Sequence, residues 1–189
     1  MNGGEGEFAR AFRDWCAAQP VSAGTRGVEP IVEGVVAATP RKTWLLPGRR
    51  ERGAAILRGA DPARLDEARP YKVLPPGESP AARALAAVGL GLAGEPSVVF
   101  LGSGSLAYGE FHEALHLAAA HRAPVVFVVS WYLGEGPFAP QLAVPPDVLS
   151  AALGLATASC DGARAESVAS ALRPLLPGPA LLRCDLRGN

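Results

Sequence analysis

Residues 98–130 read VVFLGSGSLAYGEFHEALHLAAAHRAPVVFVVS, and this stretch decides the fold. Two apolar runs, Ser97–Leu101 and Pro124–Val129, are rich in β-branched residues and favour strands. Between them, apolar side chains recur at helical spacing through Tyr108–His121. Strands without polar alternation are buried on both faces, which is typical of parallel sheets. The segment therefore predicts a strand, a Gly-rich turn, a helix and a second, parallel strand.

The rest of the chain repeats this alternation. The predicted helices are 7–18, 28–38, 81–93, 147–153 and 163–172, and the further predicted strands are 155–159 and 180–184. Residues 60–80 carry several prolines and are expected to form a loop, and residues 1–6 are expected to be disordered. We expect residues 1–189 to form a single α/β domain, a parallel sheet flanked by helices.

The bulk composition excludes several function classes. Eighteen Lys and Arg balance eighteen Asp and Glu, so the chain has no general attraction to nucleic acid or to an anionic membrane surface. Its N-terminus is too polar for a signal peptide and its apolar runs are too short to span a bilayer, so a cytoplasmic location is expected. The three cysteines, Cys16, Cys160 and Cys184, lack C-x-x-C spacing and are expected to be buried, reduced thiols.

The predicted central helix contains a literal match to the H-E-x-x-H zinc-hydrolase pattern, His112-Glu113-Ala114-Leu115-His116. Two histidines one helical turn apart bind zinc, and the glutamate activates a metal-bound water. A third ligand is required, and Glu135 qualifies only if a loop returns it to this helix. A helix between two buried strands has most of its surface covered, whereas zinc-hydrolase helices line an open cleft. Partly exposed helix residues are the competing interpretation, and a zinc hydrolase remains a minor alternative.

The Gly-rich turn Gly102-Ser103-Gly104-Ser105 lies between a predicted strand and a predicted helix. Such turns present backbone N–H groups to phosphate at a helix N-terminus. The sequence matches neither the dinucleotide fingerprint nor a phosphate-binding P-loop, and it lacks the glycine spacing of a nucleophile elbow. The turn alone therefore suggests phosphate binding without identifying a ligand.

Several segments resemble one enzyme family, in order along the chain. Gly102–Leu115 resembles the GDG-x-x-x-x-G-x-FHEAL segment of the α subunit of thiamine-diphosphate-dependent 2-oxo acid dehydrogenases, of the pyruvate and branched-chain type (E1α). Leu117–Tyr132 resembles the helix and strand that follow it. Upstream, Leu46–Gly53, Leu57–Leu65 and Val28–Ala38 resemble the F-P-x-Y-R-x-H-G, R-G-V-D-P and G-Q-E-A-x-x-x-G stretches. The resemblance implies the thiamine-diphosphate-binding fold, with thiamine diphosphate and Mg²⁺ as cofactors.

The resemblance also shows where this chain departs from the family. The Asp and the Asn that bind Mg²⁺ in the family correspond to Ser103 and Tyr132 here, and a preceding Asn corresponds to Trp131. Mg²⁺ prefers hard oxygen ligands, usually including a carboxylate. His116 stands where the family has Asn, and this change creates the zinc-hydrolase match. The resemblance therefore implies a degenerate active site without catalytic or metal-binding residues.

An anion can still be held without metal, because guanidinium groups pair directly with phosphate. By resemblance, Arg50 corresponds to the arginine that contacts the cofactor's diphosphate, and Arg49 and Arg52 flank it. A solvated basic turn is the alternative interpretation of these arginines. The predicted cofactor-binding residues are therefore Arg50, Ser103, Gly104, Ser105 and Tyr132.

The family's cofactor lies between an α and a β subunit, and this chain is shorter than an ordinary E1α and contains no β-like half. We therefore expect it to pair with an E1β-like chain or with a second copy, and small-residue surfaces at Ala81–Ala93 and Ala114–Ala120 suit an interface. The favoured function is a structural or regulatory α-like subunit. The alternative is a working E1α that decarboxylates a 2-oxo acid with its partner.

Overall fold

The computed structural model describes residues 3–20, 27–77, 79–133 and 142–187. Seven helices are present in these ranges: α1 Gly3–Ala18, α2 Glu29–Ala38, α3 Ala54–Leu57, α4 Ala82–Leu92, α5 Gly109–His121, α6 Pro146–Ala152 and α7 Ala165–Leu172. The strands are β1 Trp44–Leu46, β2 Ser97–Gly102, β3 Val125–Leu133, β4 Ala156–Asp161 and β5 Ala180–Arg187. Short 3-10 turns occupy Leu65–Glu67, Arg69–Tyr71, Ser103–Ala107 and Arg173–Leu175.

The strands form one sheet in the order β1-β2-β3-β5-β4, and every neighbouring pair is parallel. In the centre, Val98 is paired with Val126, and Val128 is paired with Leu182. This confirms the predicted parallel sheet flanked by helices. Because all the strands run the same way, their carboxyl ends meet at one edge, where open α/β sheets usually bind ligands.

Alternate residues of each central strand enter two different cores. On β2, Val98 and Phe100 face the core formed with α1, α2, α3 and α7. Val99 and Leu101 of the same strand face the opposite core, formed with α4, α5 and α6. Burial on both faces explains why these strands are almost entirely apolar. The sheet thus holds the two helical layers apart and presents its carboxyl edge to both.

The structure differs from the sequence-based expectations in three places. Helix α1 already begins at Gly3, so part of the segment expected to be disordered is helical. Strand β3 continues to Leu133, which brings Trp131 and Tyr132 into the sheet. Residues 60–80 lack long elements but include two 3-10 turns and a bridge from Val73 to Leu45 on β1.

Part of the small-residue surfaces on α4 and α5 packs within the chain. Helices α4 and α5 pack against each other, and Ala84 and Ala87 on α4 share a core with Ala114 and Ala118 on α5. The small residues on the facing sides of the two helices are therefore buried within this chain, because small side chains let the helices approach closely. The outer sides of both helices are exposed, and their use in an interface stays a prediction.

In the described part of the chain, no helix combines the length and the hydropathy that a membrane crossing requires.

Candidate functional site

A cavity of about 400 Å³ lies at the carboxyl end of β2. The residues around it come from the turn after β1, the segment that leads into α4, and the turn after β2. They are Gly48, Arg49, Arg50, Glu51, Gly77, Pro80, Arg83, Gly102, Gly104, Ser105 and Tyr108. Three are arginines and one is a carboxylic acid. Three arginines outnumber one carboxylic acid, so the cavity is positively charged whether Glu51 is neutral or ionised.

The turn after β1 is closed by its own glutamate. The Gly48 amide donates to the Glu51 carboxylate at 3.0 Å, and the Glu51 amide donates to the Gly48 carbonyl at 3.2 Å. Only 4% of Glu51 is exposed. Burial raises the pKa of Glu51, although Arg83, Arg50 and the Gly48 amide oppose that rise. Burial favours the neutral acid, and its carboxyl oxygen is engaged by the turn rather than offered to a ligand.

Arg83 reaches the cavity from the first turn of α4. Its Nη2 donates to the Phe100 carbonyl of β2 at 3.4 Å, while its buried Nε has no hydrogen-bond partner among the described residues. Burial lowers the pKa of Arg83, and Glu51 partly offsets that effect. A Cβ at Gly48 would lie 2.8 Å from Arg83 Nη2 and 2.7 Å from Glu51 Oε2. The glycine therefore lets the Arg83 guanidinium and the Glu51 carboxyl approach the turn closely. A guanidinium group in the lining of a cavity suits an anion.

Arg50 joins the cavity to the end of β3. Its Nη1 donates to the Tyr132 hydroxyl at 3.4 Å, and its Cζ lies 5.8 Å from the centre of the Tyr132 ring. Tyr132 is half-buried and packs against the core formed with α1, α2, α3 and α7. The phenol therefore holds the guanidinium through a hydrogen bond and a cation–π contact.

Three of the predicted cofactor-binding residues, Arg50, Gly104 and Ser105, line the cavity together with Arg49. Ser103 is 7% exposed and does not line it, and Tyr132 reaches it only through Arg50. Trp131 is buried in the core formed with α4, α5 and α6. The cofactor-binding role of the five residues stays a prediction.

Arg52 lies elsewhere. Its Cζ is 5.4 Å from the centre of the Trp15 ring on α1, and its Nη2 donates to Gln19 at 3.5 Å. The predicted cluster of three arginines is thus divided between two sites. Successive residues of the turn point in different directions, and only the backbone path decides which of them face the cavity.

Sequence reasoning missed Arg83 and Glu51 as cavity residues. Arg83 is the only charged residue in α4, which otherwise reads as alanine, glycine, leucine and valine. A single arginine in such a helix is a usable signal, because its charge must find a polar environment. No comparable signal exists for Glu51, which stands among arginines in the sequence and resembles an ordinary surface charge.

The donor set does not fit Mg²⁺. Among the described residues, His, Cys, Asp and Glu side chains form no group of three or more that could hold a metal ion. A buried serine hydroxyl at position 103 and a phenol at position 132 are poor ligands for a hard divalent cation. The guanidinium groups of the cavity fit an anion such as a diphosphate instead.

The zinc-hydrolase alternative receives no geometric support from the described residues. His116 and Glu113 are exposed and His112 is half-buried on α5. The ring of His112 makes an edge contact with Phe111, with 5.6 Å between ring centres. Glu135, the candidate third ligand, lies outside the described residues.

Comparisons with known proteins point to one family. Residues 79–130 match the family described as Dehydrogenase E1 component. The alpha subunits of 3-methyl-2-oxobutanoate dehydrogenase from two strains of Mycobacterium tuberculosis, CDC 1551 and H37Rv, are each 31% identical to this chain over 140 residues. The alignment covers 64% of this chain and 38% of each relative. The chain therefore matches well under half the length of these curated relatives.

A solved structure supports the fold independently of sequence. An X-ray structure from Mycobacterium smegmatis, of an enzyme described as thiamin diphosphate-dependent, superimposes with a TM-score of 0.60 and 20% identity. The match covers 82% of this chain and 31% of that chain. At this identity the likeness establishes the thiamine-diphosphate-binding fold alone. By sequence, the chain is similar to the alpha subunits of 3-methyl-2-oxobutanoate dehydrogenase, and its residues 79–130 match the dehydrogenase E1 component family.

Proposed function

We propose that this chain is an alpha-like subunit of a 2-oxo acid dehydrogenase type assembly. In this proposal its arginine-lined cavity holds a phosphate-bearing ligand without a metal ion, and the chain supports a catalytic beta-like partner. One observation carries the proposal. The cavity gathers Arg49, Arg50 and Arg83, while its one lining carboxylic acid, Glu51, is buried and hydrogen-bonded to Gly48.

The chemistry of the cavity favours the diphosphate end of a ligand. Guanidinium groups form paired, charge-assisted hydrogen bonds with phosphate oxygens, and two or three of them can replace the charge of a divalent ion. Thiamine diphosphate, which the family resemblance implies, supplies carbanion chemistry when it is bound. Arg50 would orient the diphosphate while Tyr132 holds Arg50 in place, and Arg83, which also lines the cavity, would add a second guanidinium group.

Calorimetric titration with thiamine diphosphate tests the metal-free site. The affinity is expected to be the same within a factor of about two in EDTA and in Mg²⁺, because neither the Ser103 hydroxyl nor the Tyr132 phenol supplies the carboxylate or amide oxygen that Mg²⁺ prefers. Arg83→Ala and Arg50→Ala should each weaken binding by about 10- to 100-fold, the usual range for a lost charged hydrogen bond.

The matched control is Arg52→Ala, since Arg52 belongs to the same turn but lies against Trp15. Its affinity should equal that of the unmodified chain. Binding that strengthens more than about tenfold with Mg²⁺ would overturn the metal-free site. Absence of binding in both buffers would show that the cavity does not hold thiamine diphosphate.

The supporting role requires a separate experiment with a partner. The chain should elute with a co-expressed E1β-like subunit in size-exclusion chromatography, and the complex should not decarboxylate 2-oxo acids with an artificial electron acceptor. Elution as a single copy or as a homodimer in the presence of that subunit would contradict a beta-like partner.

A second candidate function is an active E1 alpha subunit. It is favoured by the 31% identity to relatives named for 3-methyl-2-oxobutanoate dehydrogenase. That name makes 3-methyl-2-oxobutanoate the first substrate to assay. Turnover by the complex that is lost in Arg50→Ala would establish this candidate in place of the supporting role.

A further inference from the structure

Two of the three cysteines form a pair that the cavity does not use. Cys160 on β4 and Cys184 on β5 are direct partners in the register of neighbouring parallel strands. Their side chains point to the same face of the sheet, and their Sγ atoms are 3.7 Å apart. Parallel strands lie about 4.7–4.9 Å apart, which falls inside the Cα separation of about 4.4–6.8 Å that a disulfide tolerates. Rotation about the two side-chain bonds is therefore the principal movement needed to join them.

The two thiols differ in exposure and in acidity. Cys184 is buried, whereas Cys160 is half-buried on β4, which pairs only with β5 among the described strands. The hydrogen bond between the two thiols lowers the pKa of Cys160, and the same bond together with burial raises the pKa of Cys184. The thiolate is the reactive form of cysteine, so the more accessible member of the pair is also the more nucleophilic one.

We propose that Cys160 and Cys184 are an oxidisable dithiol, which hydrogen peroxide or a low-molecular-weight disulfide converts reversibly into a bond between β4 and β5. This site is independent of the arginine-lined cavity and of the proposed function. It rests on the register of the two strands, the distance between the sulfur atoms and the position of Cys160 on an edge strand.

With peroxide, the reaction proceeds in two balanced steps. The Cys160 thiolate attacks one peroxide oxygen, the O–O bond breaks, and the other oxygen leaves as water with the proton of the thiol. Cys184 then attacks the Cys160 sulfenic acid, the S–S bond forms, the S–O bond breaks, and the hydroxyl leaves as a second water with the proton of Cys184. Two thiols lose two electrons and two protons in total, and the peroxide takes up both.

Formation of the sulfenic acid in the first step makes Cys184 more reactive in the second step. Part of the rise in the pKa of Cys184 comes from the negative charge of the Cys160 thiolate. Formation of the sulfenic acid removes that charge. Cys184 therefore becomes easier to deprotonate at the stage at which it must attack.

Peptide mapping of the full chain tests the proposal. The reduced protein is treated with hydrogen peroxide, remaining thiols are alkylated, and tryptic peptides are analysed by mass spectrometry. Trypsin separates the three cysteines, because Arg122 lies between Cys16 and Cys160, and Arg164 and Arg183 lie between Cys160 and Cys184. The expected result is a linked peptide pair containing Cys160 and Cys184, which dithiothreitol separates.

Cys16 is the internal control. It is buried on α1, and burial with the nearby Glu29 and Glu33 raises its pKa to about 12. It should therefore stay reduced and become alkylated only after unfolding. Alkylatable Cys160 and Cys184 after peroxide treatment would overturn the proposal, and so would oxidation of Cys16 at the same rate as Cys160.

Two variants then test the order of the steps. Cys184→Ser should leave a Cys160 sulfenic acid that a dimedone probe traps. Cys160→Ser should slow the oxidation of Cys184 by at least about tenfold, because the accessible thiolate is gone. Equal oxidation of Cys184 in Cys160→Ser and in the unmodified chain would contradict the assigned roles. The linked pair in the unmodified chain is measured without either variant, so a folding defect in one of them cannot decide the result.

Discussion

At the scale of single residues, the cavity depends on groups that constrain one another. Gly48 allows the Glu51 carboxyl and the Arg83 guanidinium to approach the same small volume, and Glu51 in return closes the turn through the Gly48 amide. The carboxyl is buried, so its neutral form is favoured, and both neighbouring arginines limit that preference. The protonation state of Glu51 therefore affects the stability of this turn.

Glu51→Gln should remove a pH dependence of stability. Because burial raises the pKa of Glu51 in the folded state, the folded chain binds this proton more tightly than the unfolded chain. The stabilisation is fully present below the ordinary glutamate pKa and is lost as the pH rises through the raised pKa. Relative to the unmodified chain, the variant should gain about 1.4 kcal/mol of unfolding free energy for each pH unit between the two values.

Urea unfolding at a series of pH values measures this effect. The two stability curves should converge at acidic pH and separate as the pH rises. Curves that stay parallel across the series would show that Glu51 titrates at its ordinary value.

At the scale of the elements, a glycine lets two helices pack closely. Helix α2 packs directly against α7, and Gly34 lies at their contact. A Cβ at Gly34 would be 2.7 Å from the Val168 Cβ and would collide with the Ala165 carbonyl oxygen. Because the colliding atoms include backbone, the helices themselves would have to separate.

Gly34→Ala should therefore destabilise the chain by about 1–3 kcal/mol, the usual range for overpacking in a core. Gly89→Ala on α4 is the matched control, since no described atom lies within 4 Å of its added Cβ. The control should be stabilising by about 0.5–1 kcal/mol, because alanine is a better helix residue than glycine. Denaturant unfolding of both variants gives the comparison, and equal effects would contradict close packing of α2 on α7.

At the scale of the whole molecule, one sheet couples the two helical layers. Strand β2 contributes Val98 and Phe100 to one core and Val99 and Leu101 to the other, so loss of either layer exposes the same strand. The prediction of a single domain therefore has a thermodynamic consequence. Both layers should unfold together.

Differential scanning calorimetry tests this expectation. A single transition is predicted, with a calorimetric enthalpy equal to the van 't Hoff enthalpy within error. Two resolved transitions, or a van 't Hoff enthalpy well below the calorimetric one, would show that the layers are separate cooperative units.

The sequence alone determined the alternation of helices and strands, the parallel character of the sheet and the family resemblance. These features depend on local periodicity and on contiguous motifs such as Gly102–Leu115. Residues 98–101 of β2 are all apolar because the strand is buried on both faces, so parallel pairing could be inferred without knowing the strand order.

Only the tertiary structure decided which residues meet. It placed Arg83 beside Gly48 and Glu51, turned Arg52 toward Trp15, and set Cys160 opposite Cys184. It also buried the facing small residues of α4 and α5 within the chain. The physical reason is that periodicity records whether a side chain is buried, whereas the identity of its neighbours depends on strand order and helix packing between segments far apart in the chain.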